Sequence, residues 1–193
     1  MFKKEVIWRE ILFQAIEKKK NKFTQKELAV KFKFSLSTVF NALKIPRQVG
    51  AIEVKGRFFT ILSIEKLLSI WGTLRNLKKE IIYKTKVDLP ILKIEGEMPK
   101  SVIYTAYSAY RLKFNQAPAD YDKVYIYTKD LKEIEKRFPF KKGRENLVVL
   151  QSDKFLSKYG SIPPLAQIYV DLWNLKDWYA HDFLKDLKKK IYK

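Results

Sequence analysis

Cysteine is absent from the 193 residues, which excludes disulfides, thiol catalysis and cysteine-based zinc sites and suits a reducing compartment. Histidine is nearly absent. His181 stands alone, two residues after Tyr179 and next to Asp182, and a lone histidine without a matching carboxylate cluster is poor material for a metal site. Its expected role is structural or on the surface. No P-loop, G-x-G-x-x-G fingerprint or G-x-S-x-G elbow occurs. No apolar run reaches the roughly 18 residues that a bilayer-spanning helix needs. The opening "MFKKEVIWRE" carries charge too early for a signal peptide. These absences predict a cytoplasmic chain with no membrane partner, no metal and no cofactor.

Acidic residues are scarce by comparison with basic ones: 21 Asp+Glu face 40 Lys+Arg, a formal charge of +19. Such an excess favours a polyanionic partner, because each neutralised phosphate releases condensed counterions. A solvated lysine surface is the plainer alternative. With 47% hydrophobic and 15% aromatic residues the chain can bury a core, which argues against disorder. Its length allows one large domain or two small ones.

Trp8, Ile11, Leu12, Ala15 and Ile16 recur at helical spacing and predict a first helix over residues 4–20. In "FTQKEL", Thr24 is an N-cap and Glu27 completes a capping box, with Leu28, Ala29 and Phe32 on the inner face. "KFKFS" is a turn. Lys33 stands there where glycine is common, so it must accept or avoid a left-handed conformation that costs about 1 kcal/mol. Ser35 caps a third helix with Val39, Ala42 and Leu43 inward. Pro46 lacks a helical N–H and is expected to end or kink that helix at Ile45, confining base contacts to Ser35–Asn41.

In "AIEVKGRFFTIL", Ile52 and Val54 alternate with Glu53 and Lys55, and Phe59 and Ile61 with Phe58 and Thr60. This is a β-hairpin turning near Lys55-Gly56. Ser63 then caps another helix, "IEKLLSIWGTLRNL", with Gly72 in its middle. Three helices followed by a basic hairpin is the order of a winged helix-turn-helix.

Residues 78–97 read as extended, a linker and a strand, and the domain boundary is placed between Asn76 and Pro90. Beyond it the pattern alternates. Pro99 starts a tyrosine-rich helix, "KSVIYTAYSAYRLKF"; "YDKVYIYT" is a strand, "KDLKEIEKRF" a polar helix and "ENLVVLQ" a buried strand. "PPLAQIYVDLWNL" is amphipathic, with Leu165, Ile168, Tyr169, Leu172 and Trp173 on one face. The last helix places Ala180, Phe183, Leu184, Leu187 and Ile191 inside. The expected fold class is α+β: an N-terminal winged helix-turn-helix over residues 1–80 and a small α/β domain over residues 81–193. The front 80 residues hold 18 Lys+Arg against 7 Asp+Glu and are the more basic part.

In a helix-turn-helix the second helix presents its N-terminal residues to base edges in the major groove. Ser35, Leu36, Ser37, Phe40, Asn41 and Lys44 are expected to face outward, with Thr38 on the flank. Asn41 can make a bidentate contact to adenine, and Ser35, Thr38 and Lys44 suit phosphates. Phe40 could touch a thymine methyl or pack on the neighbouring helix, and packing is favoured. Lys55 and Arg57 flank Gly56, where they could grip phosphates or enter a minor groove. The candidate contacts to double-stranded DNA are Thr24, Ser35, Ser37, Thr38, Phe40, Asn41, Lys44, Arg47, Lys55 and Arg57.

Order and pattern over most of the chain resemble the AbiEi-like family, winged-helix regulators that act as the antitoxin half of toxin–antitoxin systems. The resemblance is carried by "FTQKELAVKFKFSLSTVFNALK…GAIEVKGRFFTI" in front and "SVIYTAYSAYRL…DYDKVYIYT…PPLAQIYVDLWNL" behind. It implies a repressor that binds inverted repeats, typically in its own operon. It also implies a C-terminal domain that looks like a degenerate nucleotidyltransferase fold and counteracts a cognate toxin. An active nucleotidyltransferase has Gly-Ser before the strand and D-x-D on it. This chain has Tyr107-Ser108 and then Val124, Tyr125, Ile126 and Tyr127, which leaves two-metal catalysis without its ligands.

Three readings stand on the sequence: a DNA-binding regulator without catalytic residues, a nucleotidyltransferase enzyme, and a winged helix that holds a partner protein. For the enzyme, Asp120 and Asp122 could hold magnesium if both pointed into one cleft, although a loop capping the strand explains them more simply. For the partner protein, Tyr107, Tyr110, Tyr125, Tyr127 and Trp178 would suit an interface, with burial in the core the favoured alternative.

Overall fold

The first helix, α1 (Lys3–Glu17), carries Trp8, Ile11, Leu12 and Ile16 on its buried side. It ends three residues earlier than the periodicity predicts, and Lys19 turns the chain at φ 57°. The computed structural model describes residues 1–192 and has a mixed α+β fold. Its backbone separates into two compact units, Met1–Arg75 with Pro164–Ala166, and Asn76–Pro163 with the segment from Gln167 on.

In the first unit α1 is followed by β1 (Lys22–Thr24), α2 (Gln25–Phe32), α3 (Leu36–Gln48), β2 (Ile52–Lys55), β3 (Phe58–Ile61) and α4 (Ile64–Leu74). The strands form an antiparallel sheet in the order β1-β3-β2. Strand β1 has no signature in the sequence. It pairs Phe23 with Phe59 of β3, and the two buried rings stack at 5.4 Å. Hydroxyl caps start three of the helices. Thr24 accepts from Glu27 N, Ser35 from Thr38 N and Ser63 from Lys66 N, each satisfying one of the first-turn N–H groups.

Pro46 does not end α3 at Ile45, contrary to the sequence expectation: the helix runs on to Gln48 with Pro46 buried. A proline at position 46 leaves the Ala42 carbonyl without its helical donor. The indole Nε1 of Trp8 donates to that carbonyl at 2.8 Å. The buried Glu5 carboxylate is matched as well: it accepts from Arg75 at 2.7 Å and from the Trp71 indole at 3.4 Å.

The second unit contains β4 (Ile81–Thr85), α5 (Ile91–Gly96), β5 (Ile103–Thr105), α6 (Ala106–Phe114), β6 (Val124–Thr128), α7 (Leu131–Arg137), β7 (Leu147–Gln151), α8 (Leu165–Trp173, counted here from Gln167 on) and α9 (Ala180–Ile191). The sheet order is β4-β7-β6-β5, with β6 and β7 parallel and both outer pairs antiparallel. Two expectations are corrected here. The stretch over 78–97 is a 3₁₀ turn, β4 and the short helix α5 rather than extended chain throughout. The segment after Pro99 does not begin as helix: Ile103–Thr105 pairs with β6, and α6 starts at Ala106, which turns at φ 51°.

One face of this sheet packs Val124, Ile126, Leu147 and Val149 against Ile94 of α5 and Ile134 of α7. The other face is aromatic. Tyr107 meets Tyr125 edge-on at 6.0 Å and Phe183 at 4.9 Å, and Tyr110 meets Phe183 at 5.2 Å. Helix α8 is not amphipathic as its spacing predicts. Ala166, Gln167, Val170 and Asp171 are buried with the apolar positions, while Trp173 is exposed. The polar pair is tolerated because Asp171 accepts from Thr105 and Tyr127 hydroxyls at 2.7 Å each and from Gln167 Nε2 at 3.0 Å. In α9, Leu184 is only half-buried, while Ala180, Phe183, Leu187 and Ile191 are inside.

Candidate nucleic-acid interface

The segment between α2 and α3 is a left-handed turn at Lys33, with φ 54° and ψ 43°. Lys33 N–H donates to the Val30 carbonyl at 3.3 Å and Phe34 N–H to the Ala29 carbonyl at 3.0 Å, which is the paired pattern of a Schellman C-cap. Phe34 then stacks on Phe32 at 5.8 Å and anchors the turn. Lysine therefore accepts the strained conformation, and the two backbone bonds and the ring contact hold it there.

From this turn α3 departs with two clearly different sides. Val39, Ala42, Leu43 and Pro46 are buried. Ser35, Leu36, Ser37, Phe40, Asn41, Lys44 and Arg47 are exposed, and Thr38 is partly so. Phe40 is 48% exposed, against the expectation that it packs on a neighbouring helix. Its ring is covered on one side by Lys44 Nζ, 5.4 Å from the centroid.

The hydroxyls at the start of the helix are linked to one another. Ser35 Oγ lies 2.9 Å from both Ser37 Oγ and Thr38 Oγ1 while accepting from Thr38 N at 3.2 Å. This order presents Ser37 and Thr38 in one geometry, and it commits Ser35 to capping. Thr24 is committed in the same way: its hydroxyl caps α2 and also donates to Glu27 at 3.4 Å. Of the ten residues singled out, these two act first as caps.

Lys55 and Arg57 lie at the tip of the β2–β3 hairpin, both exposed. The connection is the two-residue loop Gly56-Arg57, with Gly56 at φ 58°, as a tight hairpin requires at its first central position. Lys55 pairs with Glu53 at 2.8 Å, which neutralises part of its charge. Arg57 and Arg47 form no salt bridge among the described residues.

Sequence reading missed three lysines near this face. Phe2 and Lys4 share with Thr38, Asn41 and Ala42 the wall of a shallow hollow of about 350 Å³. Lys3 Nζ sits 5.4 Å from the Phe34 ring in the turn. Lys22 Nζ sits 4.3 Å from the Phe58 ring in the hairpin. The run "FKK" at the start is a local signal for the first two. The third depends on β1 pairing beside β3, which no local pattern announces.

In the second unit the residues weighed for catalysis do not assemble. Asp122 accepts from the Tyr179 hydroxyl and from Arg144, whereas Asp120 is exposed and forms no ion pair among the described residues. His181 is exposed on α9. No group of three or more acidic or histidine side chains suited to a metal occurs among the described residues. Tyr107, Tyr110, Tyr125 and Tyr127 are buried, while Trp178 is 77% exposed. Burial, and then the nearby Asp177 carboxylate, push the Tyr107 and Tyr125 phenols above the ordinary tyrosine range.

Comparison of the chain with protein-family models, with curated proteins and with solved structures finds no match. No helix among the described residues is long and apolar enough to cross a membrane.

Proposed function

We propose that this chain is a sequence-specific DNA-binding transcriptional regulator, a repressor of the antitoxin type, whose first unit is a winged helix-turn-helix. The observation that carries the reading is the two-sided helix α3. It buries Val39, Ala42, Leu43 and Pro46 and turns Ser37, Thr38, Phe40, Asn41, Lys44 and Arg47 outward, beside a hairpin tipped by Arg57. Hydroxyl and amide groups on the outer face suit base edges, with Asn41 for adenine and Phe40 for a thymine methyl. Lys44, Arg47, Lys55 and Arg57 suit phosphates. The overall charge of +19 supports the same partner.

The second unit, on this reading, resembles a nucleotidyltransferase fold without its catalysis and holds a cognate toxin or another protein. The lack of any acid along Val124–Thr128 and the full burial of Ser108 support a non-catalytic role. A second reading, in which α3 docks on a protein, is favoured by the exposed apolar side chains Leu36, Phe40 and Ile45 on that helix and Val49 at its C-cap.

Fluorescence anisotropy separates the two. Duplexes from the region upstream of the chain's own coding sequence and scrambled duplexes of equal composition are titrated across a salt series. The regulator binds the first set more tightly, with affinity falling steeply as salt rises. Equal affinity for both sets rejects sequence-specific regulation.

A further inference from the structure

The DNA reading leaves one cleft unused. It measures about 490 Å³ and is lined only by residues of the second unit. That volume lies within the roughly 300–1,000 Å³ of small-molecule sites. Its floor is formed by Tyr125 of β6 and Val148 of β7, partners across the parallel register. Four lysines line it: Lys78, Lys84, Lys123 and Lys176.

The acids opposing them are Glu145 and Asp177. Asp177 is already committed, since it pairs with Lys123 and accepts from the Tyr107 hydroxyl at 3.0 Å. Lys78, Lys84 and Lys176 are exposed and form no salt bridge among the described residues. Ammonium groups gathered around a concave wall repel one another and focus a positive potential into it, and a bound anion relieves that repulsion. The floor is apolar and aromatic, and the Tyr125 phenol, which burial pushes further above the ordinary tyrosine range, carries no charge there. The cleft therefore offers a cationic rim over a flat uncharged ring.

We propose that this cleft binds a small phosphorylated ligand of mononucleotide size, its phosphate on Lys78, Lys84 and Lys176 and its ring over Tyr125 and Leu175. The site is independent of DNA binding by the first unit.

The full chain is titrated with AMP, adenosine and inorganic phosphate. Binding is read by calorimetry and by the fluorescence of Trp173 and Trp178, which flank the Asn174–Asp177 stretch of the cleft wall. One saturable AMP site is expected, with adenosine and phosphate each at least about tenfold weaker, because each supplies half of the contacts. Lys84→Ala/Lys176→Ala is expected to weaken AMP about tenfold or more, through loss of charged hydrogen bonds. Lys132→Ala/Lys136→Ala, on exposed positions of α7, is expected to leave it unchanged. Circular dichroism checks folding, and Lys78→Ala provides a second variant with the same expected direction.

Absence of saturable AMP binding overturns the proposal, and so does phosphate binding as tightly as AMP. Equal losses in the two double variants mark diffuse attraction by net charge and also overturn it. Loss of duplex DNA affinity in step with AMP in Lys84→Ala/Lys176→Ala makes the cleft part of a nucleic-acid path and overturns it too.

Discussion

Trp8 of α1 donates its indole N–H to the carbonyl of Ala42, the residue whose helical donor Pro46 has removed, at 2.8 Å. The bond crosses 34 positions of sequence and lets α3 continue through a buried proline. The bond supplies the Ala42 carbonyl with a donor while α3 runs on to Gln48 and leaves Arg47 exposed.

The pairing predicts a specific coupling. Trp8→Phe leaves the Ala42 carbonyl buried without a donor and costs about 1–3 kcal/mol for that group, besides any loss of packing. In the Trp8→Phe background, Pro46→Ala restores a backbone N–H to that carbonyl. Urea unfolding of the double-mutant cycle is therefore expected to show Pro46→Ala less destabilising there than in the wild-type chain. Additive effects would mean that the indole bond does not substitute for the helical one.

Lys33 occupies a left-handed conformation with its side chain exposed. Lys33→Gly removes the steric cost and is expected to raise stability by about 1 kcal/mol, read as an increased thermal midpoint. DNA affinity should change little, because the side chain lies outside the proposed contacts. A loss of stability would show that the two backbone bonds of the turn, rather than the residue type, dominate its energy.

The residues facing outward on α3 and the hairpin should separate by role. Asn41→Ala is expected to cost about 1–3 kcal/mol on the preferred duplex and little on scrambled DNA. Arg47→Ala and Arg57→Ala are expected to weaken all duplexes alike and lower the salt slope by about one each. Lys55→Ala should do less, since Glu53 already holds its ammonium at 2.8 Å. Anisotropy titrations at several salt concentrations distinguish these patterns, and a sequence-specific loss at Arg57 would contradict a phosphate role.

The second unit should be sensitive to alkali. Tyr104, Tyr107, Tyr110, Tyr121, Tyr125 and Tyr179 all titrate above the usual tyrosine value of 10.0, with burial the leading cause in each. A raised folded-state value means that stability is fully present below about pH 10 and is lost as pH rises above it, since the unfolded chain releases those protons first. Each proton retained in the folded state contributes a slope of about 1.4 kcal/mol per pH unit. Chemical unfolding at pH 9 and pH 11, with tyrosinate absorbance in parallel, should show the buried rings ionising together with unfolding. Early ionisation of all tyrosines without loss of structure would contradict their burial.

Much of the local structure was legible because its causes are local. Thr24, Ser35 and Ser63 cap helices within three residues of the N–H groups they satisfy, and Gly56 turns a hairpin whose strands alternate on either side of it. The inner face of α3 followed from spacing alone, and so did the outward placing of Asn41, Lys44 and the hairpin-tip cations. The strands at Val124–Thr128 and Leu147–Gln151 were legible as β-branched and aromatic runs.

Other features needed partners distant in the chain. Strand β1 is three residues long and exists because Phe23 finds Phe59. Strand β5 displaces the start of a predicted helix because Ile103–Thr105 completes the edge of a sheet beside β6. Helix α8 buries Gln167 and Asp171 because Thr105 and Tyr127 supply their hydrogen bonds. Phe40 stays exposed on the outward side of α3, away from the buried Val39, Ala42 and Leu43. Sequence determined what each segment could do by itself, through caps, turns and apolar spacing. Tertiary structure decided which of those tendencies survived, because a buried carbonyl, an orphaned strand edge or a carboxylate is stabilised only by a donor that folding brings from elsewhere.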